Sequence, residues 1–190
     1  MDKGSPQRTI YISGLGGNAN KGLGEYLKLV DPNRIGLSVN KTFLNLPFLQ
    51  QVAVVRNLID EFDSSNTGVI ANSYGAYLVL HALIDAPRYQ SRIMLLSPAL
   101  GGSMNQESLV YVRQPSTNRF EQALADKEIT KPRYIELHIG AKDAGYDQEK
   151  FAKLDVALGF DQFQVHAKEE HNMDKRLVQK LVHQFLVNSA

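Results

Sequence analysis

The sequence predicts an α/β fold: one parallel six-stranded sheet with helices on both faces. Three observations predict it. β-rich runs alternate with helical stretches along the chain. Runs such as Ile93-Met94-Leu95-Leu96 are apolar without alternation, as in strands buried on both faces. Glycine-rich or polar loops follow the strands, at the edge where open parallel sheets bind ligands.

Thr9–Ser13 is the first strand and feeds the glycine-rich loop Gly14-Leu15-Gly16-Gly17. A helix is expected over Lys21–Leu29, ended by Asp31-Pro32, and a second strand over Arg34–Val39. Pro47 opens a helix whose apolar residues Val52, Val55, Ile59 and Phe62 recur at helical spacing. Thr67–Ala71 reads as the third strand, Tyr74–Ala86 as an apolar helix stopped before Pro87, and Arg92–Leu96 as the fourth strand. Residues 98–131 break the rhythm with polar residues and two adjacent glycines. They read as an excursion with at most a short helix near Asn118–Lys127, a minimal cap on a single domain spanning 1–190. Tyr134–Ile139 is the fifth strand, Asp147–Leu158 a helix and Phe160–His166 the sixth strand. The last helix begins near Asn172, with Leu177, Val178, Leu181, Val182, Phe185 and Leu186 as one stripe.

The 190 residues suit one domain with its own core. With 43% hydrophobic residues, 22% charged residues and a formal net charge of +1, nothing advertises nucleic acid or a membrane surface as partner. Without cysteine, there is no disulfide, thiolate metal site or Cys nucleophile. No His or carboxylate cluster has metal-ligand spacing, and no cofactor is expected. The N-terminus carries no apolar signal core and no run approaches a membrane span, so the expected location is the cytoplasm.

The seam Ala71-Asn72-Ser73-Tyr74-Gly75 joins a strand to a helix. It is either a plain turn or a strained one that exposes Ser73 as a nucleophile. Gly140-Ala-Lys-Asp143 follows the fifth strand, and His171 lies in the loop after the sixth. Ser, Asp and His thus occur in that order, each beyond a strand's carboxyl end. This arrangement resembles the α/β-hydrolase superfamily, whose G-x-S-x-G turn holds the nucleophile. Here Ala71 stands for the first glycine, a position that needs only a small side chain. The resemblance implies a Ser73–His171–Asp143 triad and an oxyanion hole made by the backbone N–H groups of Leu15 and Tyr74. Ser13 stands where the family often has His. The resemblance also implies a sheet lacking the family's first two strands, no large lid, and the type of small, cap-poor serine esterases.

Competing readings stay open at this level. Gly14-Leu-Gly-Gly17 begins like a dinucleotide loop, although Ala19 occupies the last glycine position of that fingerprint. His166 competes with His171. Asp147 competes with Asp143, although it also suits a helix N-cap. Glu169 and Glu170 are solvated, or one of them orients His171. The expected function is hydrolysis of a small-molecule carboxylic ester or thioester through an acyl-enzyme, best for acyl chains of about two to six carbons, since each buried methylene is worth ~0.8 kcal/mol only where an apolar trough exists. Tyr74 and Tyr111 are candidates to grip the acyl group. The alternatives are a small peptidase or amidase, and a hydrolase-fold binding protein without activity.

Overall fold

The computed structural model describes residues 8–100, 103–105, 110–112 and 115–187, the two three-residue stretches by their backbone alone. Six strands form one all-parallel sheet: β1 (Arg8–Ile12), β2 (Ile35–Leu37), β3 (Thr67–Asn72), β4 (Arg92–Leu96), β7 (Tyr134–Gly140) and β8 (Gln162–His166). Their spatial order is β2-β1-β3-β4-β7-β8. The chain first winds outward from β1 to β2, then returns to β3 on the other side of β1. The loops after β1 and β3 therefore flank the point where the winding reverses, the crevice in which such sheets bind ligands.

The strands carry two apolar faces, as their unalternating sequences predict. Ile10, Ile12, Val69, Ala71, Ile93, Leu95, Ile135 and Leu137 pack with α3 (Phe48–Phe62), α4 (Tyr74–Ala82), α5 (Thr117–Ala125) and α6 (Gln148–Leu158). Tyr11, Ile70, Met94 and Leu96 pack with α1 (Leu23–Val30) and α7 (Lys175–Val187) through Leu27, Leu181, Val182, Phe185 and Leu186. Alternate residues of each strand serve opposite layers, which is the period-two geometry of a strand. Among the described residues, no helix is long and apolar enough to cross a membrane.

Four details depart from the sequence reading. A one-turn helix, α2 (Lys41–Leu44), follows β2, started by the Asn40 side chain accepting from Phe43 N–H. The excursion contains an antiparallel pair, β5 (Ser103–Asn105) with β6 (Val110–Val112), before α5. The rest of that expected cap, 101–102, 106–109 and 113–114, lies outside the described residues. α4 stops at Ala82 instead of Ala86, because Ile84 bridges to Ile129 and Asp85 takes a positive φ of 54°. The Arg56 guanidinium donates to the carbonyls of Ala82 and Ile84, satisfying groups that a longer helix would have used itself. α7 starts at Lys175 because the Asp174 carboxylate accepts from Arg176 and Leu177 N–H, an N-cap that leaves Asn172 in the preceding loop.

His81 lies in α4, four per cent exposed. Its ring sits edge-on to Phe48 and Tyr77, with centroids at 4.8 and 4.5 Å, and beside Phe120. Among the described residues its Nε2 has no hydrogen-bond partner. Burial pushes its pKa down to about 4, and the nearby Arg119 charge acts in the same direction. The unfolded chain binds the proton at the ordinary value, 6.5. Below that pH the unfolded state holds more protons than the folded state, so stability falls with pH from about 6.5 to about 4. His81→Phe keeps an aromatic ring and removes the titration. Between pH 7 and pH 5 the wild type should lose about 2 kcal/mol more unfolding free energy than the variant, at ~1.4 kcal/mol per pKa unit. Denaturant melts at the two pH values measure this, and equal losses would show that His81 is not the acid-sensitive group.

Candidate active site

The seam at Ser73 is a sharp strand-to-helix turn. Ser73 has φ 52° and ψ −117°, a backbone conformation that costs a non-glycine residue on the order of 1–3 kcal/mol. Its surroundings hold it there. Ser73 N–H donates to Leu96 O at 2.8 Å, and Ser73 O accepts from Tyr77 N–H at 3.1 Å. α4 begins hard against the end of β1: a Cβ on Gly75 would lie 2.4 Å from Ser13 O and 2.8 Å from Ile12 O. Only glycine fits there. Ala71, by contrast, is fully buried with its methyl accommodated, which is why the first position of the turn tolerates alanine.

The loop after β1 reaches the same point. A Cβ on Gly14 would stand 3.1 Å from Ser73 Cβ. Gly17 N–H donates to Gly14 O at 2.9 Å, closing a turn around Leu15 and Gly16, whose φ of 69° suits glycine. That closure leaves the N–H of Leu15 outside the turn's own hydrogen bond. Ser13 has a role that the sequence did not reveal: its Oγ accepts from Val39 N–H at 2.9 Å and ties this loop to the chain beyond β2. Tyr74 supplies the first N–H of α4, but its side chain is turned inward and its hydroxyl donates to Gln51 Oε1 at 3.0 Å. Tyr74 is 4% exposed, which leaves little of its ring to face a ligand; the side chain of Tyr111 lies outside the described residues.

Ser73 Oγ lies 2.8 Å from His171 Nε2, and His171 Nδ1 lies 2.8 Å from Asp143 Oδ2. Asp143 is buried and accepts a second bond from Gly145 N–H at 2.8 Å, whereas the His171 side chain is 42% exposed. The acid has both oxygens engaged and holds one side of the imidazole, while the ring stays partly open to solvent. The loops carrying the two residues are clamped together. Ala141 N–H donates to His166 O and Lys142 N–H to Glu169 O, each at 2.9 Å. A Cβ on Gly140 would come within 2.3 Å of Glu169 O, so a glycine is required at this crossing as well.

The competing residues lie elsewhere. His166 faces His138, with Nε2 to Nδ1 at 3.3 Å, in a partly buried polar row that continues through Glu136 to the Tyr134 hydroxyl. Burial and the neighbouring His138 hold the His166 pKa below its ordinary value. Asp147 caps α6, its carboxylate accepting from Glu149 and Lys150 N–H. The Glu169 carboxylate accepts from Asp174 N–H, so it braces the loop and does not orient His171. A cavity of about 1130 Å³ opens over Ser73 and His171, with Leu15 and Tyr74 in its lining.

No family model and no curated protein matches this sequence. Solved structures do match its fold over nearly the whole chain. A monoacylglycerol lipase from Paleococcus ferrophilus superimposes with a TM-score of 0.70 at 14% identity, over 98% of this chain and 97% of that one. The mouse α/β-hydrolase domain-containing protein 10 gives a TM-score of 0.69 at 15% identity, over 99% and 92%. The chain has the α/β-hydrolase fold. Arabidopsis thaliana SOBER1 is similar as well, with a TM-score of 0.63 at 17% identity over 97% of this chain and 99% of that one. Within the α/β-hydrolase fold, the turn after β3 and the loops after β1, β7 and β8 meet at one end of the sheet, and here they carry Ser73, Leu15, Asp143 and His171.

Proposed function

We propose that the protein is a serine hydrolase that cleaves a small carboxylic ester or thioester. One observation carries this reading: the unbroken hydrogen-bonded chain Ser73 Oγ–His171 Nε2 and His171 Nδ1–Asp143 Oδ2, with 2.8 Å at each link. His171 Nε2 takes the proton of the Ser73 hydroxyl as Oγ attacks the carbonyl carbon. Asp143, held by Gly145 N–H, keeps the imidazole in the tautomer with Nδ1–H and stabilises the imidazolium that forms. The carbonyl oxygen becomes an oxyanion, for which the N–H groups of Leu15 and Tyr74 are the available donors. The imidazolium returns its proton to the leaving alcohol or thiol as the C–O or C–S bond breaks. Water, deprotonated by His171, then releases the acid from the acyl-enzyme and restores Ser73. Hydrolase neighbours of the same fold support the reaction class, including one described as a monoacylglycerol lipase.

A fluorophosphonate probe tests the proposal directly. One equivalent should attach at Ser73, located by peptide mass, and Ser73→Ala should take none. Folded wild-type protein that resists the probe would favour a binding protein over an enzyme.

A further inference from the structure

The cavity over Ser73 is lined mostly by small, polar and charged residues. Among the described residues, Leu15 is its only aliphatic lining side chain larger than alanine, and Leu15 is 64% exposed. Tyr11 and Tyr74 are themselves buried. The larger apolar side chains Leu23, Leu96, Met173 and Val178 line a smaller adjoining pocket on the far side of His171. The main cavity itself adds charge as a means of selecting a substrate. Lys21 stands in the loop after β1 and Lys142 in the loop after β7, so the two come from strands on either side of β3, which carries Ser73. Among the described residues neither makes an ion pair, whereas Lys131 and Lys153 do. Their backbones are anchored by Lys21 N–H to Asn18 O and Lys142 N–H to Glu169 O. Opposing them at this mouth are Glu170, which is exposed, and Asp143, whose two oxygens are taken by His171 and Gly145.

We infer that the substrate is an anionic ester, its carboxylate or other anionic group drawn to Lys21 and Lys142. The inference rests on the hydrolase reading above and narrows it to a substrate class. Two cations held apart by separate loops favour an anion that extends from the reacting carbonyl toward solvent. Both lysines are exposed and contribute as exposed charges do, weakly one by one and additively together. Both act on the substrate's free end, and Ser73, His171 and Asp143 act on its carbonyl.

Two matched pairs test this. On the acyl side, 4-nitrophenyl hydrogen adipate is compared with 4-nitrophenyl hexanoate, which has the same chain length without the charge. On the leaving side, 4-acetoxybenzoate is compared with its methyl ester. At low ionic strength kcat/KM should favour the anion by on the order of tenfold in at least one pair, the upper size expected of two exposed charge pairs. The preference should shrink in 1 M salt, where the screening length is ~3 Å. Lys21→Glu and Lys142→Glu should each lower the anion-to-neutral ratio, and Glu170→Gln should raise it. Lys28→Glu changes the net charge equally from the exposed end of α1, outside the cavity, and should leave the ratio alone. Because each ratio is taken on one enzyme, any change in folding or in His171 basicity cancels. Neutral esters cleaved as well as anionic ones in both pairs would overturn this inference and leave the hydrolase reading standing. An equal fall of the ratio in Lys28→Glu would overturn it too. Cleavage of no ester at all would overturn the hydrolase reading, and this inference with it.

Discussion

Ser73→Ala should lower kcat for short nitrophenyl esters by on the order of 10⁴-fold or more while the protein stays folded. The nucleophile and its base act as a unit, so removing either forfeits nearly all the acceleration that both supply. What survives comes from binding and the backbone donors. The fold should survive because the change deletes one oxygen that is bonded to a half-exposed imidazole. The backbone of Ser73 stays held by Leu96 O and Tyr77 N–H, neither of which needs the side chain. Alanine must still adopt the strained φ of 52°, as serine does, so the melting temperature should shift little. Steady-state kinetics and a thermal melt on one preparation decide the matter. Near-normal turnover in folded Ser73→Ala would place the nucleophile elsewhere and end the proposal.

Asp143→Asn should cost on the order of 10³–10⁴-fold in kcat, with a smaller effect on KM. In the wild type, Asp143 Oδ1 takes Gly145 N–H and Oδ2 takes His171 Nδ1. An asparagine that keeps its oxygen on Gly145 N–H turns its NH₂ group toward His171. The imidazole then presents an unprotonated Nδ1, its proton moves to Nε2, and it can no longer accept from Ser73. Asp147→Ala is the matched control, since Asp147 lies four residues away and caps α6. It should cost about 0.5–2 kcal/mol of stability and change kcat only a few-fold. Equal kinetic losses at the two positions would contradict the assigned roles.

The fold was legible in the sequence because its signals are local. Unbroken apolar runs such as Val69-Ile70-Ala71 and Ile93-Met94-Leu95-Leu96 can satisfy two helical layers at once, and only a parallel sheet provides two. The seam at Ser73 was legible for a similar reason: small residues at Ala71, Gly75 and Ala76 are what a close strand-to-helix turn demands. The hairpin β5–β6 was not legible, being two three-residue strands in a polar stretch with no sustained alternation. Nor was the early end of α4. The apolar run continues through Ile84, but the Ile129 bridge and the Arg56 guanidinium, both distant in sequence, claim its backbone groups.

By itself, then, the sequence determined the parallel α/β architecture, the turn that holds Ser73, and a short set of acids and histidines in loops at one sheet edge. These follow from period, side-chain size and turn chemistry, which act over a few residues. Only the tertiary structure decided among the members of that set. β8 pairs with β7 so that His166 stands opposite Gly140 and turns its ring to His138, while the loop beyond it brings His171 to Ser73. Asp143 and Asp147 differ by one helical turn in sequence. One is nevertheless buried against His171, and the other is spent on the N-terminus of α6. Glu169 became a brace because Gly140 lets the two loops touch. Such choices depend on strand register and on contacts between segments about 30 to 100 residues apart, as in the separations of 28 and 98 between His171 and its two partners. No local pattern carries that information, because it resides in the packing itself.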